Sequence, residues 1–351
     1  MIDREPAAWL WLKEHLVRLR QATRPGQAPA SGEPAVVVRT AVVTDSAAAL
    51  PADWVRAFSI NGRLAVIPMP VMVGAEIYGE GEDDIAETIA VALAAATPVK
   101  TSRPSPGQFE QAYRAAERHG FESVVSVHLS GDLSGTADAA RLAAARVSIP
   151  VEVLDTRTVG MAQGLAVQSA VVAAADGRSA AEVRSLAESR AAKTRVYFYV
   201  PSLEQLRRGG RIGAAASLVG AMFSIKPILA VDGGKIVPLE KVRSAARAVA
   251  RLEEIVVADA AARPPGEARV AIHHFGNEAE AELLAARLAA ALPDTPPAQI
   301  SSLPAVLAAH AGLGVLAVIV GESSTSLAGS PNASDAGREE ERDRPEEPAQ
   351  G

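Results

Sequence analysis

The feature that most constrains this chain is a recurring unit in which a short β-branched run passes directly into a hydroxyl- or glycine-rich turn and then a helix. It occurs at Asp45, Ser130 and Thr156. Around it the periodicity alternates: helix over 83–96 and 106–119, strand at Ser123–His128, helix over 135–145, strand at Val151–Asp155, helix over 160–175. Strands alternating with helices specify an α/β unit with a parallel sheet, and such sheets place ligands outside the carboxyl ends of their strands. Two earlier runs complete the unit. Val36–Thr44 ends at Asp45-Ser46, and the extended run 64–73, broken by Pro68 and Pro70, suits an edge strand.

From Ser179 the order changes. A helix to Ala192, a strand at 196–200 and helical segments from Leu203 and Ala214 lead to a hairpin, with arms 228–231 and 235–238 around Asp232-Gly233-Gly234. A helix over 245–262, a strand at 269–273, the helix 278–291 and a last strand at 314–320 complete an α+β unit. At 351 residues the chain exceeds what one hydrophobic core usually serves. The domain plan is therefore an N-terminal α/β domain at 36–176 and a C-terminal α+β domain at 177–322. Outside them, 1–35 reads as an amphipathic helix at Ala7–Leu19 and a Pro/Gly/Ser-rich linker, and 323–351 as a disordered, mixed-charge tail.

Composition removes several function classes. A net charge of −6 argues against general affinity for nucleic acid, and the lack of cysteine excludes thiol catalysis, disulfides and zinc-thiolate sites. The start of the chain lacks the basic and apolar regions of a secretory signal, and its apolar runs fall short of the roughly 20 residues a membrane-spanning helix needs. A soluble, cytoplasmic protein is expected, with transient membrane-surface contact through the N-terminal helix as the minor alternative.

Four clusters carry chemistry, each with two open readings. Thr101-Ser102-Arg103-Pro104-Ser105-Pro106 either caps a helix or offers hydroxyls to a ligand. Ser130-Gly131-Asp132-Leu133-Ser134-Gly135-Thr136 is either a capped turn or an anion-binding loop at a helix N-terminus, without the Gly-Lys-Ser/Thr of a nucleotide-binding P-loop. Arg208-Gly209-Gly210-Arg211-Ile212 is either a solvated helix end or a docking patch. His310, in Ala311-Gly312-Leu313-Gly314 surroundings, is either structural or a ligand contact. Ser130 or Ser134 with His310 lacks the Gly-x-Ser-x-Gly elbow of a hydrolase, and His273-His274 lacks a carboxylate at metal-ligand spacing, so no metal is expected.

Taken in order, Val43-Thr44-Asp45-Ser46, Thr101–Ser105, Leu129–Thr136, Arg208–Ile212 and Lys226-Pro227-Ile228 resemble the DegV family. The resemblance runs from about Val37 to Val320. It implies two α/β domains with a long-chain fatty acid between them, a carrier rather than an enzyme and without a cofactor. The bound acid would be presented to a separate ATP-dependent fatty acid kinase. It implies that Thr101, Ser102, Ser130, Ser134 and His310 hold the carboxylate, with Met161, Met222, Phe223, Ile225 and Ile228 as plausible lining of the acyl pocket and Arg208 and Arg211 as docking residues. The chain departs from the family pattern at Gly131-Asp132, where Ser-Gly is usual, which sets an acid near the expected carboxylate site. It departs also at Arg103, where glutamine is common, and at Leu313 in place of a proline. The rival readings are an enzyme with a phosphate or nucleotide ligand on the Gly/Ser loops, and a sensor of lipid levels.

Overall fold

The computed structural model describes residues 37–79, 85–218 and 225–323. The N-terminal helix and linker, the C-terminal tail, Met222 and Phe223 lie outside these residues.

The first sheet is four-stranded and entirely parallel. Its strands are β1 (Thr40–Asp45), β2 (Leu64–Ile67), β6 (Ser123–His128) and β7 (Val151–Asp155), in the order β2-β1-β6-β7. Every residue of β1 is buried, as a parallel strand covered on both faces requires. Val42, Leu64, Val125, Val127 and Leu154 face Trp54, Phe58 and the helices Met161–Ala175 and Ala180–Ala192. Ala41, Val43, Ile67 and Val124 face the helices Pro106–Arg118 and Thr136–Ala144. The helix Ala180–Ala192 thus packs on the parallel sheet, and the change to the second sheet falls in the turn after it.

β2 is an edge strand, but the extended run does not stay in one sheet. After Pro68 and Pro70, whose rings remove donors and hold the chain extended, β3 (Val71–Val73) joins β4 (Glu76–Tyr78) and β5 (Val99–Thr101) in a small antiparallel sheet. The 64–73 run is therefore two strands of two sheets.

The second sheet is six-stranded and mixed, in the order β10-β9-β8-β13-β11-β12. Its members are β8 (Arg195–Tyr199), β9 (Lys226–Asp232), β10 (Lys235–Val242), β11 (Ala268–His274), β12 (Gln299–Ser302) and β13 (Leu316–Glu322). All its pairs are antiparallel except β11 with β12. β9 and β10 turn at Gly233 and Gly234, both at positive φ, a backbone that favours glycine at both central positions of a tight hairpin. One face of the sheet is covered by the helices Ala245–Ala261 and Glu278–Ala291. The other looks toward the first sheet across a cluster that joins Ala47, Leu129 and Met161 to Val196, Leu229 and Ile319. β12 and a short helix at Ala305–Ala311, neither evident in the periodicity, bring the chain back along that face.

Candidate functional site

A cavity of about 360 Å³ lies between the two sheets. Its apolar body comes from alternate residues of the mixed sheet: Val196 and Phe198 of β8, Val231 of β9, Ile236 of β10, and Ala317 and Ile319 of β13. Their neighbours Tyr197, Tyr199, Leu316, Val318 and Val320 belong to the core on the far side, so both faces are apolar for different reasons. Leu129, Leu133, Val159, Leu303, Val306 and Leu307 close the body from the loops and the Ala305–Ala311 helix.

The polar groups gather where the loops meet. Thr101 ends β5, and its hydroxyl lies 2.7 Å from His310 Nε2. His310 is in the last turn of the Ala305–Ala311 helix rather than in a glycine turn, and that helix ends at Gly312. Burial, helped by the nearby Arg211 guanidinium, pushes the imidazole down to about 4, so it is neutral at pH 7. Its Nδ1 is buried without a partner. An orphaned acceptor is less costly than an orphaned N–H, so the proton belongs on Nε2, donating to Thr101 and freeing the threonine O–H to donate into the cavity.

The Arg-Gly-Gly-Arg segment explains how the ring is held. A Cβ at Gly209 would sit 2.1 Å from His310 Nδ1, so only glycine lets this turn pass beneath the imidazole. The turn then aims Arg211 at the cavity, where its Nε donates to the Leu133 carbonyl at 3.1 Å and its guanidinium to the Gly209 carbonyl. Arg208 points elsewhere, with its Nε 2.7 Å from Glu204 on the surface.

Ser134 lines the cavity, its hydroxyl 2.8 Å from that of Thr136 at the start of the Thr136–Ala144 helix. Ser102 and Arg103 line it from the β5 turn. The structure thus brings together Thr101, Ser102, Ser134, His310 and Arg211. Ser130 it directs away: fully buried, the hydroxyl donates 2.7 Å to the Gly234 carbonyl in the β9–β10 turn and accepts from Asp132 N–H. Asp132 also turns from the cavity, toward Lys235 Nζ at 3.8 Å, which removes the expected conflict with a bound acid. Ile228 belongs to the core on the opposite face of β9, where the two-residue period of the strand puts it, and Leu229 and Val231 occupy the inward face instead. Met161 is core beside the cavity, and half-buried Ile225 lies outside its lining.

His273 was foreseen only as an unlikely metal ligand. It lines the cavity fully buried, its Nε2 accepting the Met161 N–H at 3.1 Å and its Nδ1 3.0 Å from Ser301 Oγ. Nδ1 is therefore the protonated nitrogen, and burial pushes the ring down to about 4. Among the described residues no group of acidic, cysteine or histidine side chains could hold a metal, and no aspartate or glutamate lines the cavity. Elsewhere Asp45, His128 and Ser126 form a chain at 2.8 and 2.7 Å that carries the atom types of a hydrolase triad. All three are fully buried and away from the cavity, and the chain ends on the Tyr113 hydroxyl, which makes it a structural strut.

A match to the DegV family, described as an uncharacterised protein family, spans residues 39–322. The chain belongs to the DegV family. A DegV domain-containing protein of Streptomyces coelicolor is 45% identical over 280 residues, 80% of this chain and 97% of that one. One from Mycobacterium bovis is 36% identical, covering 80% and 96%. Among solved structures, the DegV family protein of Thermus thermophilus, studied for its fatty acid binding, superposes with a TM-score of 0.74 at 29% identity, covering 81% of this chain and 99% of its own. DegV of Bacillus subtilis, a fatty acid binding protein, superposes at 0.72 and 29%, covering 82% and 100%. The DegV fold is thus that of two sheets facing each other across a cavity. No helix among the described residues is long and apolar enough to cross a membrane.

Proposed function

We propose that this chain binds one long-chain fatty acid between its sheets and presents the carboxylate to a separate ATP-dependent fatty acid kinase. The observation that carries the binding is the division of the cavity into an apolar body and one cluster of donors, Thr101, Ser102, Ser134 and Arg211, around a neutral imidazole. Each methylene moved from water into the body contributes about 0.8 kcal/mol, so ten buried methylenes supply about 8 kcal/mol. A carboxylate taken out of water needs several donors, which the cluster provides without an opposing acid among the described residues. The fatty acid binding of the related structures agrees with this chemistry. The kinase rests on the family resemblance, with Arg208 and Arg211, both exposed, as the docking candidates. A magnesium nucleotide fits less well, because its metal and phosphates would face a lining without a carboxylate among the described residues.

Native mass spectrometry of the purified protein, followed by identification of the extracted ligand, tests the proposal. One fatty acid per chain, lost or weakened about tenfold or more in Ser134→Ala and His310→Ala, is expected: the first variant removes a hydrogen bond to a charged group, the second removes the imidazole that turns the Thr101 O–H toward it. A protein that is empty and ignores added fatty acids overturns it. Acid-dependent capture of a partner that does not phosphorylate the acid would favour a lipid sensor.

A further inference from the structure

Where the Ala180–Ala192 helix of the first sheet passes into β8 of the second, a group of cations gathers that takes no part in the cavity lining. Arg190, in the last turn of that helix, is 3% exposed, and its Nε and Nη1 are buried without a hydrogen-bond partner. Burial pushes its guanidinium down to about 10. Glu322 at the end of β13 opposes this, while Arg269 and Arg263 of the second unit add to it.

The acids within reach are already engaged. The two oxygens of Glu322 lie 3.2 Å from Lys193 Nζ and 3.7 Å from Arg263 Nη1. Asp259 pairs with Arg263 at 3.2 Å, and Glu188, on the same helix as Arg190, pairs with Arg184. Arg269 donates to the Gly266 and Ala268 carbonyls and to the Ser323 hydroxyl, and Glu267 acts on it by charge. Arg263 keeps a buried Nε without a partner. With Lys193 and with Arg195, which donates to the Ala192 carbonyl, the cations here outnumber Asp259, Glu267 and Glu322. A buried guanidinium with two idle donors is costly unless hydrogen bonds and an opposite charge complete it. A doubly charged group of acceptor oxygens does both, because it accepts from several guanidinia at once and cancels the surplus charge.

We propose that Arg190, Arg263 and Arg269, with Lys193, form a second ligand site, for a doubly charged oxyanion, and that the bound anion ties the Ala180–Ala192 helix to β11, β13 and the end of the Ala245–Ala261 helix. The ligand acts as a staple between the two units. This does not rest on the reading of the cavity. The same chemistry has two sources, a free oxyanion and the carboxylates of Glu339-Glu340-Glu341 in this chain. Those acids follow Ser323, which is bonded to Arg269, and a tether of under about 20 residues holds such groups at millimolar effective concentration.

The test follows thermal unfolding of the full chain in sulfate against chloride at constant ionic strength. The wild type is compared with Arg190→Met, Arg269→Gln and a variant carrying Glu339→Gln, Glu340→Gln and Glu341→Gln. Methionine replaces the arginine stem without a buried charge, so Arg190→Met should fold; Arg269→Gln, at a half-buried position, carries the test if it does not. Saturating sulfate should raise the wild-type Tm by about 2–4 °C over chloride, and that of either arginine variant by less than about 1 °C. A shift confined to the glutamine variant supports the site and names the chain's own carboxylates as its occupant. No shift over chloride in either the wild type or the glutamine variant overturns the proposal. So does a wild-type shift that both arginine variants share in full, since that is the general stabilisation sulfate gives by exclusion from protein surfaces.

Discussion

The two sheets serve one cavity in different ways. The parallel sheet contributes through the loops after β6 and β7, bringing Leu129, Leu133, Ser134, Gly135, Val159 and Gly160, whereas the mixed sheet contributes the inward faces of β8, β9, β10 and β13. A strand end presents backbone amides and short polar side chains and so makes a head-group site. A strand face presents alternate side chains and so makes a wall, at the cost that a shift of one residue exchanges wall for core. Adjacent positions of one strand should therefore differ in kind when mutated, not in degree.

β9 gives the sharpest form of this contrast. Ile228 is fully buried in the core under the two outer helices, whereas Val231 lines the cavity. Ile228→Ala should cost about 2–5 kcal/mol of stability, as large-to-small changes in packed cores do, with fatty acid affinity unaltered wherever the variant is folded. Val231→Phe should fill the wall, lower affinity for long-chain acids by about tenfold and shift stability by less than about 1 kcal/mol. Chemical denaturation and fatty acid titration of the pair decide the matter. If Ile228→Ala loses binding while Val231→Phe keeps it, the assignment of the faces is reversed.

The next contrast concerns protons. His273 and His310 both line the cavity, and burial depresses both to about 4. The unfolded chain protonates these rings near pH 6.5 and the folded chain only near 4. The unfolded state therefore binds more protons between those values, and stability present above about 6.5 is lost as the pH falls toward 4. For His273, which is 1% exposed, the full loss is about 3 kcal/mol by the same linkage. The urea midpoint of the wild type should fall more steeply between pH 6.5 and 4 than that of His273→Gln, which has no ring to titrate. Parallel profiles would show that His273 takes up its proton without strain.

How much of this was legible in the sequence follows the same division. The parallel sheet was readable because each strand ends in turn residues that break its pattern, and the strands at Ser123–His128 and Val151–Asp155 stand where the periodicity puts them. The polar lining of the cavity was legible in part, since Thr101, Ser102 and Ser134, which lie in hydroxyl-rich turns, are among its lining residues. The wall was not. β8, β9 and β13 are apolar on both faces, so alternation gave no sign of which face turned inward, and Ile228 was chosen where Leu229 and Val231 occupy the inward side. The helix that carries His310 escaped notice because Ala305–Ala311 is short and rich in alanine. Arg103 was seen only as a departure from a pattern. What it lies against is set by Gly135, a residue 32 positions away that no local reading could connect.

The smallest expected effect is also the most discriminating, because it separates two serines of one turn. Ser130 and Ser134 are equivalent by composition, yet Ser130 ties the first sheet to the β9–β10 turn through Gly234, while Ser134 faces the cavity. Ser130→Ala removes the bond to the Gly234 carbonyl and leaves the Asp132 N–H without its acceptor, which should cost about 1–3 kcal/mol of stability while acid affinity changes less than about threefold. Ser134→Ala removes a half-buried hydroxyl bonded to Thr136, so stability should move by less than about 1 kcal/mol while acid affinity falls about tenfold. The ratio of the two effects, not either alone, carries the conclusion, because it is insensitive to how well either variant is handled. Should both serines weaken binding equally at unchanged stability, the β9–β10 turn would have to lift away from Ser130 when the acid is bound, and the contact between the sheets would itself be the gate to the cavity.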